Sequence, residues 1–175
     1  FANKQEDIKV CLCRYGNVLE STGSVIPFFK DLLSKGVTEL PITHKDMTRF
    51  LLTLNDAVDL IEWSYNHKNS HGKIVIPKIK ALKITDIAKS LGKSYGHDDI
   101  ELKYIGIRPG EKLHEAMISE TESFRTEDHS QYYMISDNII RSDSWTFSFG
   151  MTFSSDWSLM KSEETDSFLK QSGVI

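Results

Sequence analysis

The chain has 175 residues, enough for a domain with a real core, and at 39% hydrophobic and 26% charged it has the balance of an ordinary globular protein. Its 21 basic and 25 acidic residues nearly cancel, so no broad positive field invites nucleic acid. No apolar run is long enough to span a membrane, and the opening FANKQEDIK turns charged too soon for a signal peptide; a cytoplasmic protein with no membrane partner is expected.

The first residue is Phe rather than Met, so a natural start is missing or the numbering begins inside a longer protein. IKVCLCRY, residues 8–15, is dense in β-formers and predicts a buried strand. Cys11 and Cys13 are two apart and share one face of that strand, a geometry that disfavours a disulfide; two small buried residues in a reducing compartment is the expectation. A loop with Gly16 and Gly23 follows. VIPFFKDLLSKG predicts a helix with Phe28, Phe29, Leu32 and Leu33 on one face, Pro27 in its first turn and Gly36 as its stop.

TELPIT and RFLLT predict short strands around the turn HKDM. TLND, residues 53–56, has the pattern of a helix start, and Ala57, Leu60, Ile61, Ser64 and Tyr65 follow at helical spacing. GKIVIP predicts another strand. ITDIAKSLG predicts a helix with Ile84, Ile87, Ala88 and Leu91 inward and Gly92 at its end. A β-rich run from Ile100 to Ile107 then stops at Arg108-Pro109-Gly110, and a helix is expected from Glu111 through Met117. QYYMI is the last predicted strand. Beyond it the pattern weakens into a Ser-rich tail, residues 142–167, whose Trp145, Phe147, Phe149, Phe153 and Trp157 argue against full disorder. Strands alternating with helices predict an α/β fold with some parallel pairing. One domain over 1–140 and a tail over 141–175 with a short helix are expected.

Three polar stretches end apolar elements: RYGNV at 14–18, DMTRF at 46–50 and IRPGEKLHE at 107–115. In an open α/β sheet, ligands collect beyond the carboxyl ends of the strands. The guanidinium forks of Arg49 and Arg108 match phosphate oxygens, Glu111 can accept from ribose hydroxyls, and Asn17 can donate or accept. Each also has a purely structural reading. An Arg at a strand end is commonly solvated or ion-paired, and an acid in a first helical turn meets the helix dipole for roughly 0.3–1 kcal/mol. Dinucleotide, Walker, zinc-protease and nucleophile-elbow signatures are all missing from these residues, as is Tyr-x-x-x-Lys. The histidines at 44, 67, 71, 97, 114 and 129 form no pattern with metal-ligand spacing. No catalytic or metal-binding residue is assigned.

Four segments occur in one order: CRYGNVLESTGSVIPFFKDLLSKG, PITHKDMTRFLLTLNDAVDLI, GKIVIPKIKALKITDIAKSLG and IGIRPGEKLHEAMIS. Together they resemble the second half of inverting UDP-N-acetylglucosamine 4,6-dehydratases, extended short-chain dehydrogenase/reductases of the polysaccharide-biosynthesis group. The resemblance runs from about Lys9 to Ile135, with a weaker echo in MTFSSDWSLMKSEETDSFL, where that family has an acidic C-terminal helix. It implies the last elements of a Rossmann-type sheet plus a substrate-binding subdomain.

The resemblance also implies roles. Arg49 would clamp the diphosphate, Arg108 would meet the diphosphate or the ribose, Glu111 the ribose hydroxyls, and Asn17 would orient the sugar diphosphate. Val25, Ile26 and Pro27 would wall the uracil, and Tyr15 and Gly16 would reach the nicotinamide side of NADP. The family reaction moves a hydride from sugar C4 to NADP, loses water across C5 and C6, and returns the hydride to C6 with inversion at C5. That family carries its Gly-rich loop and catalytic acid and base in its first half. The chain is therefore expected to bind a UDP-sugar but to be inactive and without tight NADP binding by itself, acting beside the missing half or as a homo-oligomer. A related 4-epimerase and a non-enzymatic UDP-sugar-binding remnant remain as alternatives; PKI and IGIRPGEKLHE favour the dehydratase. Glu20 and Thr22 depart from the family's Gly and Arg. Glu20 sets a Cβ where glycine's freedom is expected and a negative charge near the diphosphate.

Overall fold

The computed structural model describes residues 8–137 and 150–175. In chain order the elements are β1 (Leu12–Cys13), β2 (Asn17–Val18), α1 (Val25–Ser34), β3 (Glu39–Ile42), β4 (Thr48–Leu52), α2 (Leu54–Asn66), β5 (Ile74–Pro77), β6 (Ala81–Lys83), α3 (Ile84–Ser94), β7 (Glu101–Tyr104), β8 (Ala116–Ile118), α4 (Glu120–Ser123), β9 (Thr126–His129), β10 (Tyr132–Ile135), β11 (Phe153–Ser154) and α5 (Ser162–Gln171). The expected α/β character is present, with parallel pairs β1–β5, β2–β4 and β3–β7. Among the described residues no helix is long and apolar enough to cross a membrane. The predicted aromatics Trp145, Phe147 and Phe149 lie outside the described residues.

The chain divides into two compact units. The first, which we call the sheet unit, holds residues 1–16, 54–79 and 116–154. Its main sheet has the order β1-β5-β10-β9. Helix α2 buries Ala57, Leu60 and Ser64. Leu60 joins Val75, Tyr132 and Met134 in a small core, with Cys13 and Trp63 against it. The helical spacing predicted Ile61 and Tyr65 inward as well, yet they are 53% and 71% exposed. One narrow stripe of α2 meets the sheet, and these two residues lie beyond its reach.

IKVCLCRY is not a buried strand. Only Leu12–Cys13 is regular, and among the described residues it pairs with β5 alone and forms the sheet's edge. Cys13 turns inward, whereas Ile8 and Leu12 are 60% and 56% exposed. Cys11 and Cys13 are both free thiols. Arg14, which follows the strand, donates to both carboxylate oxygens of Glu122 at 2.9 Å and to the Met117 carbonyl at 2.7 Å. Glu122 also closes the capping box that starts α4 at Ser119. The Arg14 hydrogen bond holds its carboxyl down to about 2, against the opposing effect of burial.

The second unit holds residues 17–53, 80–115 and 155–175. We call it the pocket unit. Two sheets, β2-β4-β6 and β3-β7, pack with α1, α3 and α5 around a core that includes Phe29, Leu40, Ile42, Leu82, Ile87, Leu91 and Leu169. Helix α1 faces that core with Ile26, Phe29 and Leu33. Helix α3 runs past its expected stop at Gly92 to Ser94, because Gly92 serves packing. A Cβ there would stand 2.8 Å from the Ile100 side chain. The chain turns out of the helix at Gly96 instead, where φ is 86° and the His97 amide reaches back to the Gly92 carbonyl.

The helix expected from Glu111 through Met117 does not form. Arg108 to Glu111 is a tight turn: the Glu111 amide donates to the Arg108 carbonyl at 3.0 Å. Pro109 sits second, and Gly110 third with φ 82°, the signature of a type II turn. The following carbonyls go elsewhere. Lys112 and Leu113 offer theirs to the Arg49 side chain, and Leu113 also accepts from the Thr48 amide. A helix would need those same acceptors, and Ala116–Ile118 continue as β8.

Candidate functional site

The pocket unit contains a cavity of about 630 Å³. Six of the residues singled out from sequence line it: Asn17, Val25, Pro27, Arg49, Arg108 and Glu111. Four separate segments deliver them. Asn17 lies in β2, held beside β4 by the parallel register Asn17 to Leu51. Val25 and Pro27 occupy the first turn of α1. Arg49 is the second residue of β4, and the type II turn presents Arg108 and Glu111.

Part of the cavity's lining is apolar, from Val25, Pro27, Phe28, Pro41 and Ile105. Sequence spacing put Phe28 in the helix's core face; it is 46% exposed and lines the cavity instead. Ile26 takes its place inside. The rest includes polar groups. The Arg108 side chain is exposed and makes no hydrogen bond or ion pair among the described residues. The Glu111 carboxylate is oriented by the Arg108 amide, 3.2 Å from Oε2. An apolar wall, a free guanidinium and a fixed carboxylate suit a flat ring joined to hydroxyls and an anion.

Arg49 is different. Its guanidinium donates to the carbonyls of Thr48 at 2.7 Å, Leu113 at 3.2 Å and Lys112 at 2.7 Å. Glu115 stands 3.5 Å from Nε and Glu111 3.9 Å from Nη2. Next to it, the buried Thr48 hydroxyl lies 2.6 Å from the buried Ser155 hydroxyl and 2.8 Å from His114 Nδ1. Leaving either buried hydroxyl unpaired would cost about 1–3 kcal/mol. Sequence inspection missed Thr48 and Ser155. They are 107 positions apart, and only tertiary structure joins them. His114 is half-buried in that network.

Glu20 adopts φ 57°, the left-handed region where glycine is at home, at a cost of roughly 1–2 kcal/mol. Its carboxylate pairs with Lys30, which offsets its charge. Tyr15 and Gly16 belong to the sheet unit. Tyr15 is 42% exposed and lines a shallow hollow with Leu12, Cys13, Arg14 and Ile74 along the open edge of β1. Among the described residues no group of three or more His, Cys, Asp or Glu side chains is arranged to hold a metal.

Residues 1–137 match the family described as "Polysaccharide biosynthesis protein". The chain belongs to that family. Within it, the chain is 48% identical over 137 residues to a UDP-N-acetylglucosamine 4,6-dehydratase (inverting) from Campylobacter jejuni subsp. jejuni serotype O:2, covering 78% of this chain and 39% of that protein. It is 41% identical over 126 residues to a UDP-glucose 4-epimerase from Rickettsia rickettsii, covering 72% of this chain and 36% of that one. The chain thus spans well under half the length of these relatives.

Among solved structures, Pen from Bacillus thuringiensis is similar with a TM-score of 0.78 and 25% identity, over 93% of this chain and 50% of that one. The dTDP-glucose 4,6-dehydratase of Bacillus anthracis str. Ames, solved in complex with NAD, is alike in fold, with a TM-score of 0.51 and 16% identity over 60% of this chain and 35% of its own. The fold is Rossmann-like α/β, shared with that dehydratase and with the epimerase Mth375 of Methanothermobacter thermautotrophicus, TM-score 0.53 and 16% identity over 61% of this chain and 34% of that one.

Proposed function

We propose that the pocket unit binds the UDP portion of a UDP-sugar. The observation that carries this is the cavity's mixed lining: the unpaired Arg108 guanidinium and the oriented Glu111 carboxylate share one space with the apolar first turn of α1. In this reading Val25 and Pro27 flank the uracil, Glu111 accepts from the ribose, Arg108 meets the diphosphate with Arg49 at its base, and Asn17 orients the sugar side.

The sugar is assigned as N-acetylglucosamine and the parent reaction as C5-inverting 4,6-dehydration, in the cytoplasmic supply of nucleotide sugars for surface glycans. The higher identity to the Campylobacter dehydratase supports that order. The Rickettsia relative keeps 4-epimerisation as the second reading.

Dehydration needs groups to move a hydride and protons on both sides of the sugar. The described residues lining this cavity hold a nucleotide and include no His, Tyr, Cys or Lys. We therefore assign the 175-residue chain the binding role, with NADP and the catalytic groups supplied by residues outside it, in a longer polypeptide, a partner or an oligomer.

Calorimetry tests the binding. UDP should bind more tightly than ADP, and Arg108→Ala should lose about 1.5–3 kcal/mol, the worth of a charge-assisted hydrogen bond. Equal weak heats for UDP and ADP would sink the assignment. NADPH fluorescence tests the division of labour: sub-micromolar binding to this chain would overturn it.

A further inference from the structure

The Arg49 guanidinium donates to three backbone carbonyls and stands within ion-pair distance of two carboxylates. Its carbonyl partners Lys112 and Leu113 belong to the segment that follows the Arg108–Glu111 turn. The same segment is fastened a second way. The Glu115 amide donates to Ser155 Oγ at 2.8 Å, and the Ser155 amide donates to the Glu115 carbonyl at 2.8 Å. Ser155 Oγ contacts Thr48 Oγ1, which contacts His114 Nδ1.

The proton count closes. If Ser155 donates to Thr48 Oγ1, Thr48 donates to His114. If His114 donates to Thr48, Thr48 donates to Ser155, and Ser155 donates to the Thr48 carbonyl at 3.3 Å. Either way every hydroxyl is satisfied without water, as the burial of both requires.

We infer that Thr48 and Ser155 are positioning residues for nucleotide binding and that Arg49 works with them. Together they fix residues 112–115, and through them the turn that presents Arg108 and Glu111 to the ligand. Ligand contact falls to Arg108 and Glu111, with Arg49 acting chiefly through the loop. This rests on the UDP reading of the cavity.

The test compares Thr48→Val, which keeps the size and removes the hydroxyl, with Thr48→Ser, which restores it. Ser155→Ala reads the same network from its other side. UDP affinity is measured by calorimetry, with melting to confirm that each variant is folded. Thr48→Val and Ser155→Ala should each bind UDP about ten-fold more weakly, about 1.4 kcal/mol, while Thr48→Ser stays within about two-fold of wild type. Amide exchange at 112–115 should quicken in Ser155→Ala before it quickens in α1 or α3. Wild type that binds UDP alongside a folded Thr48→Val of equal affinity would overturn the positioning role alone. Wild type that does not bind UDP would overturn the nucleotide reading and this inference with it.

Discussion

The two units differ in how completely each covers its own core. The pocket unit closes around fully buried Phe29, Leu40, Ile42, Ile87 and Leu91. The sheet unit buries Leu60, Val75, Ile76, Ile118, Met134 and Ile135, yet among the described residues it leaves β1 as an open edge, with Ile8 and Leu12 in solvent. The difference teaches where each unit's stability comes from. The pocket unit is closed on its packing, with ion pairs such as Lys103 to Glu39 on its surface. In the sheet unit, polar ties join segments beside that exposed edge: Arg14 to Glu122, Lys73 to Glu127 at 2.7 Å, and Lys78 to Asp128.

The largest expected effect breaks the packing side. Phe29→Ala should cost the pocket unit about 3–5 kcal/mol, the usual price of truncating a buried aromatic, and should abolish the proposed UDP binding as the unit unfolds. Chemical denaturation followed at α1 and at β5 would separate the units. Equal loss at both would show that they share one cooperative core.

Next comes the polar side. Arg14→Ala should cost about 1–3 kcal/mol in the sheet unit, because Glu122 is left half-buried without its charge partner. Acid should do the same by another route. The Glu122 pKa is depressed to about 2, so its stabilisation is present above the ordinary carboxylate range and fades as pH falls from about 4.5 toward 2. Glu127 is also held down: burial opposes, but its hydrogen bonds to Lys73 and His129 outweigh it. His67 stacks on Trp63 with ring centroids 4.4 Å apart, and burial and the neighbouring His129 lower its pKa. A lowered imidazole stabilises the fold above its ordinary value near 6.5, and that contribution is lost as pH falls below it. Melting the sheet unit across pH 7 to 3 should therefore show losses first below about 6.5 and again below about 4.5, with Arg14→Ala blunting the second. A pH-independent melt would remove electrostatics from the comparison.

The smallest expected effect on stability lies at the open edge. Leu12→Lys should change unfolding by less than about 0.5 kcal/mol, since the side chain is already in water. It should nevertheless reduce self-association, because an unpaired edge with apolar neighbours templates strand pairing and a lysine there blocks it. Sedimentation of wild type and variant over a range of concentrations reads this directly; a strict monomer in both would mean that the edge is inert.

Local chemistry was enough to read most elements. Helices α1, α2 and α3 announced themselves through spacing, Pro27 and the polar start at Thr53, and β5 and β10 through short apolar runs between turn residues. The same local chemistry, with the family resemblance, marked Asn17, Val25, Pro27, Arg49, Arg108 and Glu111, and these six line one cavity. Three things were decided only in three dimensions. Glu111 could not start a helix once the carbonyls of Lys112 and Leu113 were claimed by Arg49, a partner 63 and 64 residues away. β1 looked buried because its residues are apolar, but burial depends on neighbours, and among the described residues this strand has one. Thr48 and Ser155 look like ordinary surface polar residues in sequence, and only the fold brings them together in a dry place where each needs the other. A sequence records what a side chain can do; which donor meets which acceptor, and which apolar face finds cover, is settled when distant segments compete for the same space.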